Sequence, residues 1–200
     1  VLPHFPVAKG FFADNAVQIA ADPREWPVPL AEKMCAELKR AGKKGSVAIT
    51  INNHNVTEDA VAETFAGAMK KYCPHLKILA VQEEGPEPTK AIQVATSIML
   101  ANPDVVAALS TTGGGPTTWA GAQKETGRKI LAVGMDYTRV NLDLVKSGQV
   151  WGAVAQPLFT ECLGSAKLLM EMANGAPAPY WTRLEAPLIT KDNVDDYYGM

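Results

Sequence analysis

From residue 29 onward the chain alternates between segments of helical period and short β-branched or apolar runs. That rhythm restricts its fold more than any other feature. Residues 29–40 read as a helix stopped by Ala41-Gly42, and residues 46–51 as a strand of the kind buried in parallel sheets. Thr57 is the expected N-cap of the next helix, with Glu58 and Asp59 in its first turn suiting the helix dipole. Val61, Phe65 and Met69 follow on one face at i, i+4 spacing. The cycle continues with a strand over 76–82, a helix over 89–101, a strand over 105–110 and a helix over 116–126 ended by Gly127. A strand over 129–134, a short helix over 139–147 and a strand over 150–156 come next. A long helix over 158–174, closed by Gly175, ends the alternation. Strand–helix alternation with short connections demands right-handed crossovers. It therefore predicts a doubly wound, mostly parallel α/β sheet with helices on both faces.

Composition narrows the function classes. An apolar share of 47% and a charged share of 20% over 200 residues suit one sizeable domain with a packed core. The net charge is −2 with the signs interleaved, so there is no basic footprint for nucleic acid or an anionic membrane surface. His4, His54 and His75 are scattered, so neither a metal cluster nor a cofactor is expected. Cys35, Cys73 and Cys162 each lie in or beside an expected helix, where a buried free thiol is the reading adopted. One bridge among the three stays open.

Open α/β sheets bind ligands beyond the carboxyl ends of their strands. In chain order those ends read Asn52-Asn53-His54-Asn55, Gln82-Glu83-Glu84-Gly85, Thr111-Thr112-Gly113-Gly114-Gly115, Gly134-Met135-Asp136-Tyr137 and Gln156-Pro157. The first Lys or Arg near this rim is Lys90. Amides, hydroxyls and carboxylates pair with vicinal hydroxyls, whereas phosphates and dicarboxylates call for guanidinium groups. The rim thus points to a neutral, hydroxyl-rich ligand such as a sugar or polyol, bound without chemistry.

Each residue also has a plainer reading. Asn52 to Asn55 are natural turn formers, Asp136 could cap the helix that follows, and Gln156 could satisfy backbone groups. Gly113 to Gly115 could be a loose turn, or could let backbone N–H groups approach a ligand. The run matches neither the phosphate loop nor the dinucleotide fingerprint, since no Lys-Ser or Lys-Thr follows and position 118 is Thr. Ser110 has no acid–base partner at a recognisable spacing, and adjacent Glu83 and Glu84 would face opposite ways along a strand.

Taken together, Val133-Gly134-Met135-Asp136-Tyr137, residues 142–148 and Val154-Ala155-Gln156-Pro157 resemble the later half of type I periplasmic solute-binding proteins. The resemblance is to the ribose-binding-like sugar and polyol receptors of ABC importers, and the tail over 189–197 is similar to theirs. It implies that Asp136 accepts sugar hydroxyls, that Gln156 donates and accepts at the hinge, and that Asn53, His54 and Asn55 line the cleft. Thr112 falls where such receptors often carry Asn, and His4 near a strand end of the opposite lobe. Their common Arg four residues before the helix Phe is here Val61, ahead of Phe65, which argues against ribose itself.

The resemblance also implies a division of the chain. Residues 1–22 would be a remnant of an amino-terminal lobe and the first crossover, and 23–157 a carboxy-terminal α/β lobe. Residues 158–182 would be a helix and linker normally packed on the amino-terminal lobe, and 183–200 a return segment and tail. The helix face bearing Leu163, Ala166, Leu169 and Met170 would then lack its partner sheet, with dimerisation through that helix one way to cover it. On this reading the chain is an extracytoplasmic, periplasmic receptor delivering a sugar or polyol to an ABC permease. Two alternatives remain: the effector domain of a lac-repressor-type regulator, and a nucleotide-using α/β enzyme built around Gly113 to Gly115.

Overall fold

The computed structural model describes residues 17–199. Its elements follow the expected alternation. They are β1 (Gln18–Ala20), α1 (Pro27–Arg40), β2 (Ser46–Ile51), α2 (Val56–Tyr72), β3 (Lys77–Ile78), β4 (Gln82–Glu83), α3 (Pro88–Ala101) and β5 (Val105–Ser110). Then come α4 (Gly115–Thr126), β6 (Leu131–Met135), α5 (Arg139–Lys146), β7 (Gly152–Val154), α6 (Leu158–Ala173), β8 (Trp181–Arg183) and β9 (Leu188–Ile189), with a 3-10 turn over Val194–Tyr197.

The main sheet runs β3-β2-β5-β6-β7-β9, with β4 continuing the flank of β2 beyond β3. All its pairings are parallel except that of β9 with β7. From β2 the chain first winds outward to β3 and β4, then returns to β5 on the other flank and proceeds to β7. The winding therefore reverses between β2 and β5, and the loops after these two strands diverge to open a crevice. β1 and β8 pair parallel in a separate two-stranded ribbon, so the segment entering the main lobe and one leaving α6 run side by side.

Side-chain alternation builds two different cores. Val47, Ile49 and Ile51 face α1 and α2, where Leu30, Met34, Leu38, Phe65 and Met69 meet them. The opposite face carries the small residues Ala48, Ala108, Ala132 and Ala153, which leave room for Trp119 of α4 beneath α3 and α5. Trp119 is fully buried and its indole N–H donates to Thr50 Oγ1 at 3.3 Å. Filling one face with branched residues and the other with alanines under a single indole keeps both layers dense.

Three local expectations change. Helix α2 is capped by Asn55, whose Oδ1 accepts from the Thr57 and Glu58 amides at 3.1 and 3.0 Å; Thr57 is already within the helix. Asn is at least as good a cap as Thr, and its side-chain carbonyl turns back onto the two amides. The strand expected over 76–82 breaks into β3 and β4, because it lies at the sheet edge and only its two ends pair with β2. The cysteines differ as well. Cys35 and Cys73 form a disulfide that ties α1 to the end of α2, and Cys162 is free but exposed. No described helix is long and apolar enough to cross a membrane.

Candidate ligand-binding site

The loops at the carboxyl ends of β5 and β6 lock into each other. The Met135 amide donates to Thr112 O at 3.1 Å. The side-chain amide of Asn141, in the first turn of α5, reaches Gly113 O, Met135 O and Asp136 O at 2.9, 3.1 and 3.1 Å. Asn141 is buried, so one side chain staples two loops that the chain order keeps apart. Nothing in the sequence marked Asn141 as part of the site.

Asp136 sits at φ 70°, the only described non-glycine residue with a positive φ. Such a conformation is costly for a residue with a Cβ and persists where the surroundings over-determine it. Here the Asp136 amide donates to Val154 O at 2.8 Å, and Asn141 holds the carbonyl. Its carboxylate is thereby turned over Gly113, where a Cβ would lie only 2.3 Å from Asp136 Oδ2. Gly113 is thus needed for close approach. Asp136 does not cap α5; the Thr138 hydroxyl does. Its Oδ1 is buried without a hydrogen-bond partner, and burial pushes the carboxyl pKa up.

Thr112 connects this pair to Glu84. Glu84 is 1% exposed, and its Oε1 accepts from Ser110 Oγ at 2.9 Å and Thr112 Oγ1 at 2.5 Å. Burial raises the Glu84 pKa against the opposing pull of the Thr112, Thr50 and Ser110 hydroxyls, with the Glu58 charge adding to the rise. Sequence reasoning placed Glu83 and Glu84 on opposite faces, and the structure agrees: Glu83 is exposed. It did not foresee Glu84 beneath Thr112. A cavity of about 370 Å3 opens beside these groups, lined by Asn52, Glu84, Gly85, Thr112, Gly114 and Thr118 among others.

Across the crevice, Glu58 ties β2 to β5. Its Oε2 accepts from the Asn52 amide and from Thr111 Oγ1, both at 2.6 Å. Gln156 reaches the same neighbourhood, lining a cavity of about 80 Å3 with Thr57, Glu58, Val61, Thr111, Met135 and the buried Glu161. Val61 makes this part of the wall apolar.

The loop after β2 behaves differently. Asn55 is occupied as the α2 cap, and Asn53 Oδ1 accepts from both Asn52 and Asn55 Nδ2 at 3.2 Å. His54 pairs with Asp59 at 2.7 Å, which raises the imidazole pKa, and its amide donates to Glu83 Oε1 at 3.1 Å. The structure therefore brings Thr112, Gly113 and Asp136 into one cluster with Gln156 on the neighbouring strand end. Asn53, His54 and Asn55 are exposed and engaged mainly with their own loop. His4 lies outside the described residues.

Solved structures that align with this chain include sugar-binding proteins. A carbohydrate transporter solute-binding protein from Agrobacterium radiobacter, in complex with D-arabinose, aligns with a TM-score of 0.83 at 22% identity, covering 92% of this chain and 65% of that one. An arabinose-binding protein from Geobacillus stearothermophilus aligns at 0.80 and 22%, covering 91% and 65%. An ABC transporter solute-binding protein from Agrobacterium vitis with bound D-fucose aligns at 0.81 and 20%, covering 90% and 62%. The chain thus spans about two thirds of the length of these structures, and the shared fold is the type I periplasmic-binding α/β architecture. Residues 13–177 match the family described as periplasmic binding protein domain, and over that span the chain belongs to it.

Proposed function

We propose that this chain captures a sugar or polyol at the carboxyl edge of its sheet, outside the cytoplasm, and serves an ABC permease. The observation that carries the reading is Asp136, held at φ 70° over Gly113 with a buried, unpartnered carboxylate oxygen. A carboxylate accepts two O–H donors, as vicinal hydroxyls supply. Thr112 and Gln156 stand beside it, and no guanidinium lines either neighbouring cavity. Neutral hydroxylated solutes fit this chemistry, and phosphorylated ones do not.

In this reading the paired β1 and β8 are part of the hinge, and a second lobe supplies the opposing contacts as the cleft closes. The 200-residue chain alone then holds part of the contacts and binds weakly. The disulfide between Cys35 and Cys73 suits an oxidising, extracytoplasmic compartment. D-Arabinose and D-fucose, bound by two of the similar structures, are the first solutes to try.

Titration calorimetry at millimolar sugar, with parallel thermal melts, tests the proposal. Sugar-dependent heat and stabilisation are expected, lost in Asp136→Asn while the variant stays folded. Stabilisation by nucleotides and by no sugar would overturn it. Sub-micromolar affinity of this chain alone would overturn the two-lobe account.

A further inference from the structure

Glu84 is the most deeply buried carboxyl group among the described residues, and no described Lys or Arg pairs with it. Its bonding is lopsided. Oε1 accepts two hydroxyl donors, from Ser110 at 2.9 Å and Thr112 at 2.5 Å, while Oε2 is buried with no partner. A hydroxyl has one proton and two lone pairs. The Ser110 proton is directed to Glu84, and Ser110 Oγ accepts in turn from the Thr112 amide at 3.2 Å. Thr112 Oγ1 has two inward neighbours, Glu84 Oε1 at 2.5 Å and Ser110 Oγ at 3.1 Å, and the shorter contact takes its proton.

Thr112 is only partly buried and lines the cavity of about 370 Å3 at the rim. With its proton turned inward, it offers that space lone pairs alone. We propose that Glu84 is a positioning residue that makes Thr112 an obligate acceptor, so that the solute must present a donating hydroxyl at that point. The consequence is selectivity for the hydrogen-bonding sense of one substituent: a hydroxyl is accepted, whereas an ether, a carbonyl or a fluorine at the same place is refused. The inference rests on the sugar-binding reading and refines its solute class.

Mono-deoxyfluoro analogues of D-arabinose and D-fucose provide the test, because fluorine keeps the size of a hydroxyl but withholds its proton. Calorimetry should find one position in the series where fluorine weakens binding to the wild-type chain by roughly tenfold or more, the effect of leaving a site acceptor unpaired. Glu84→Gln, which keeps an acceptor carbonyl, should preserve that penalty. In Glu84→Leu the Ser110 proton, having lost its acceptor, turns to Thr112 Oγ1 at 3.1 Å and releases the Thr112 proton; Thr112→Val removes the acceptor, and both should erase the penalty. A penalty that survives in folded Glu84→Leu or in Thr112→Val overturns the assignment. So does a Glu84→Leu variant that weakens all solutes in equal proportion, since that marks a purely structural role. If Glu84→Leu fails to fold, the penalty in Thr112→Val decides alone. Sugars that bind without the expected pattern defeat this inference only; a wild-type chain that binds no sugar defeats the sugar-binding reading too.

Discussion

Helices α1 and α6 are of similar length and both carry abundant apolar residues, yet they are used in opposite ways. Helix α1 buries Pro27, Leu30, Ala31, Met34, Cys35 and Leu38 against the sheet and α2. In α6 the one buried residue is Glu161, while Phe159, Leu169 and Met170 stand 73%, 66% and 67% exposed. Its closest packing is onto β1, where Gly164 lets Ile19 approach so near that a Cβ would lie 2.4 Å from the Ile19 Cδ1 atom. Amphipathic pattern therefore reports that a helix face seeks burial, but does not say that this stretch of chain supplies the cover. The two cores formed by the main sheet with α1 to α5 draw on no residue of α6, most of whose large apolar side chains stay exposed.

The largest effects should thus fall within α1 and its attachment. Leu38→Ala removes a side chain with no solvent exposure and should cost about 2–5 kcal/mol, read as a lowered midpoint in chemical denaturation. The disulfide between Cys35 and Cys73 spans a sequence separation of 38. Replacing both with Ala should cost about 2–4 kcal/mol through the greater freedom of the unfolded chain. A loss under about 0.5 kcal/mol for either change, the range of ordinary surface substitutions, would show that α1 is no better anchored than α6.

A smaller effect separates buried polar groups from exposed ones. Burial raises the Glu84 pKa, so this group binds its proton more tightly in the folded state than in the unfolded one. Its contribution to stability is then complete below its unfolded pKa and is lost as the pH rises through the folded value. Glu84→Gln cannot take part in that titration. Its melting temperature relative to the wild type should stay constant in acid and become progressively more favourable toward neutral pH. A difference that does not vary with pH from about 4 to 8, a range starting near the ordinary Glu pKa, would refute the claim.

The same contrast explains what could be read from sequence. Strands β2 and β5 were legible because short, mostly apolar runs buried on both faces need no knowledge of their neighbours. The end of α4 was legible because Gly127, at φ 65°, marks a C-terminal turn by its own chemistry. Pairings across the fold were not legible. The Cys35–Cys73 bridge depends on how α1 and α2 lie together, and the burial of Glu84 depends on Ser110, 26 residues away. Asn141 is a similar case, since its three carbonyl partners come from two loops. At the site, Thr112, Gly113, Asp136 and Gln156 could be placed on strand ends from the alternation alone. The role of Asp136 was suggested by family resemblance, and its unusual backbone conformation was visible only in three dimensions.

The smallest expected effect lies on α6, and it tests the comparison most directly. Leu169→Ser combined with Met170→Ser removes two large apolar groups that are already about two-thirds exposed. Neither leaves a cavity nor strands a buried polar partner, so the stability of the chain should change by no more than about 0.5 kcal/mol. Had these side chains been packed as Leu38 is, the pair would cost several times that amount, because cavity formation adds to lost transfer energy. Sedimentation of the wild type and the double variant over a range of concentrations completes the test. If two copies cover each other through α6, self-association will weaken in the variant, and the apparent stability of the wild type will rise with concentration. If both chains remain monomeric and equally stable, α6 contributes little to holding this lobe together, and its apolar face is available to a surface that the lobe does not contain.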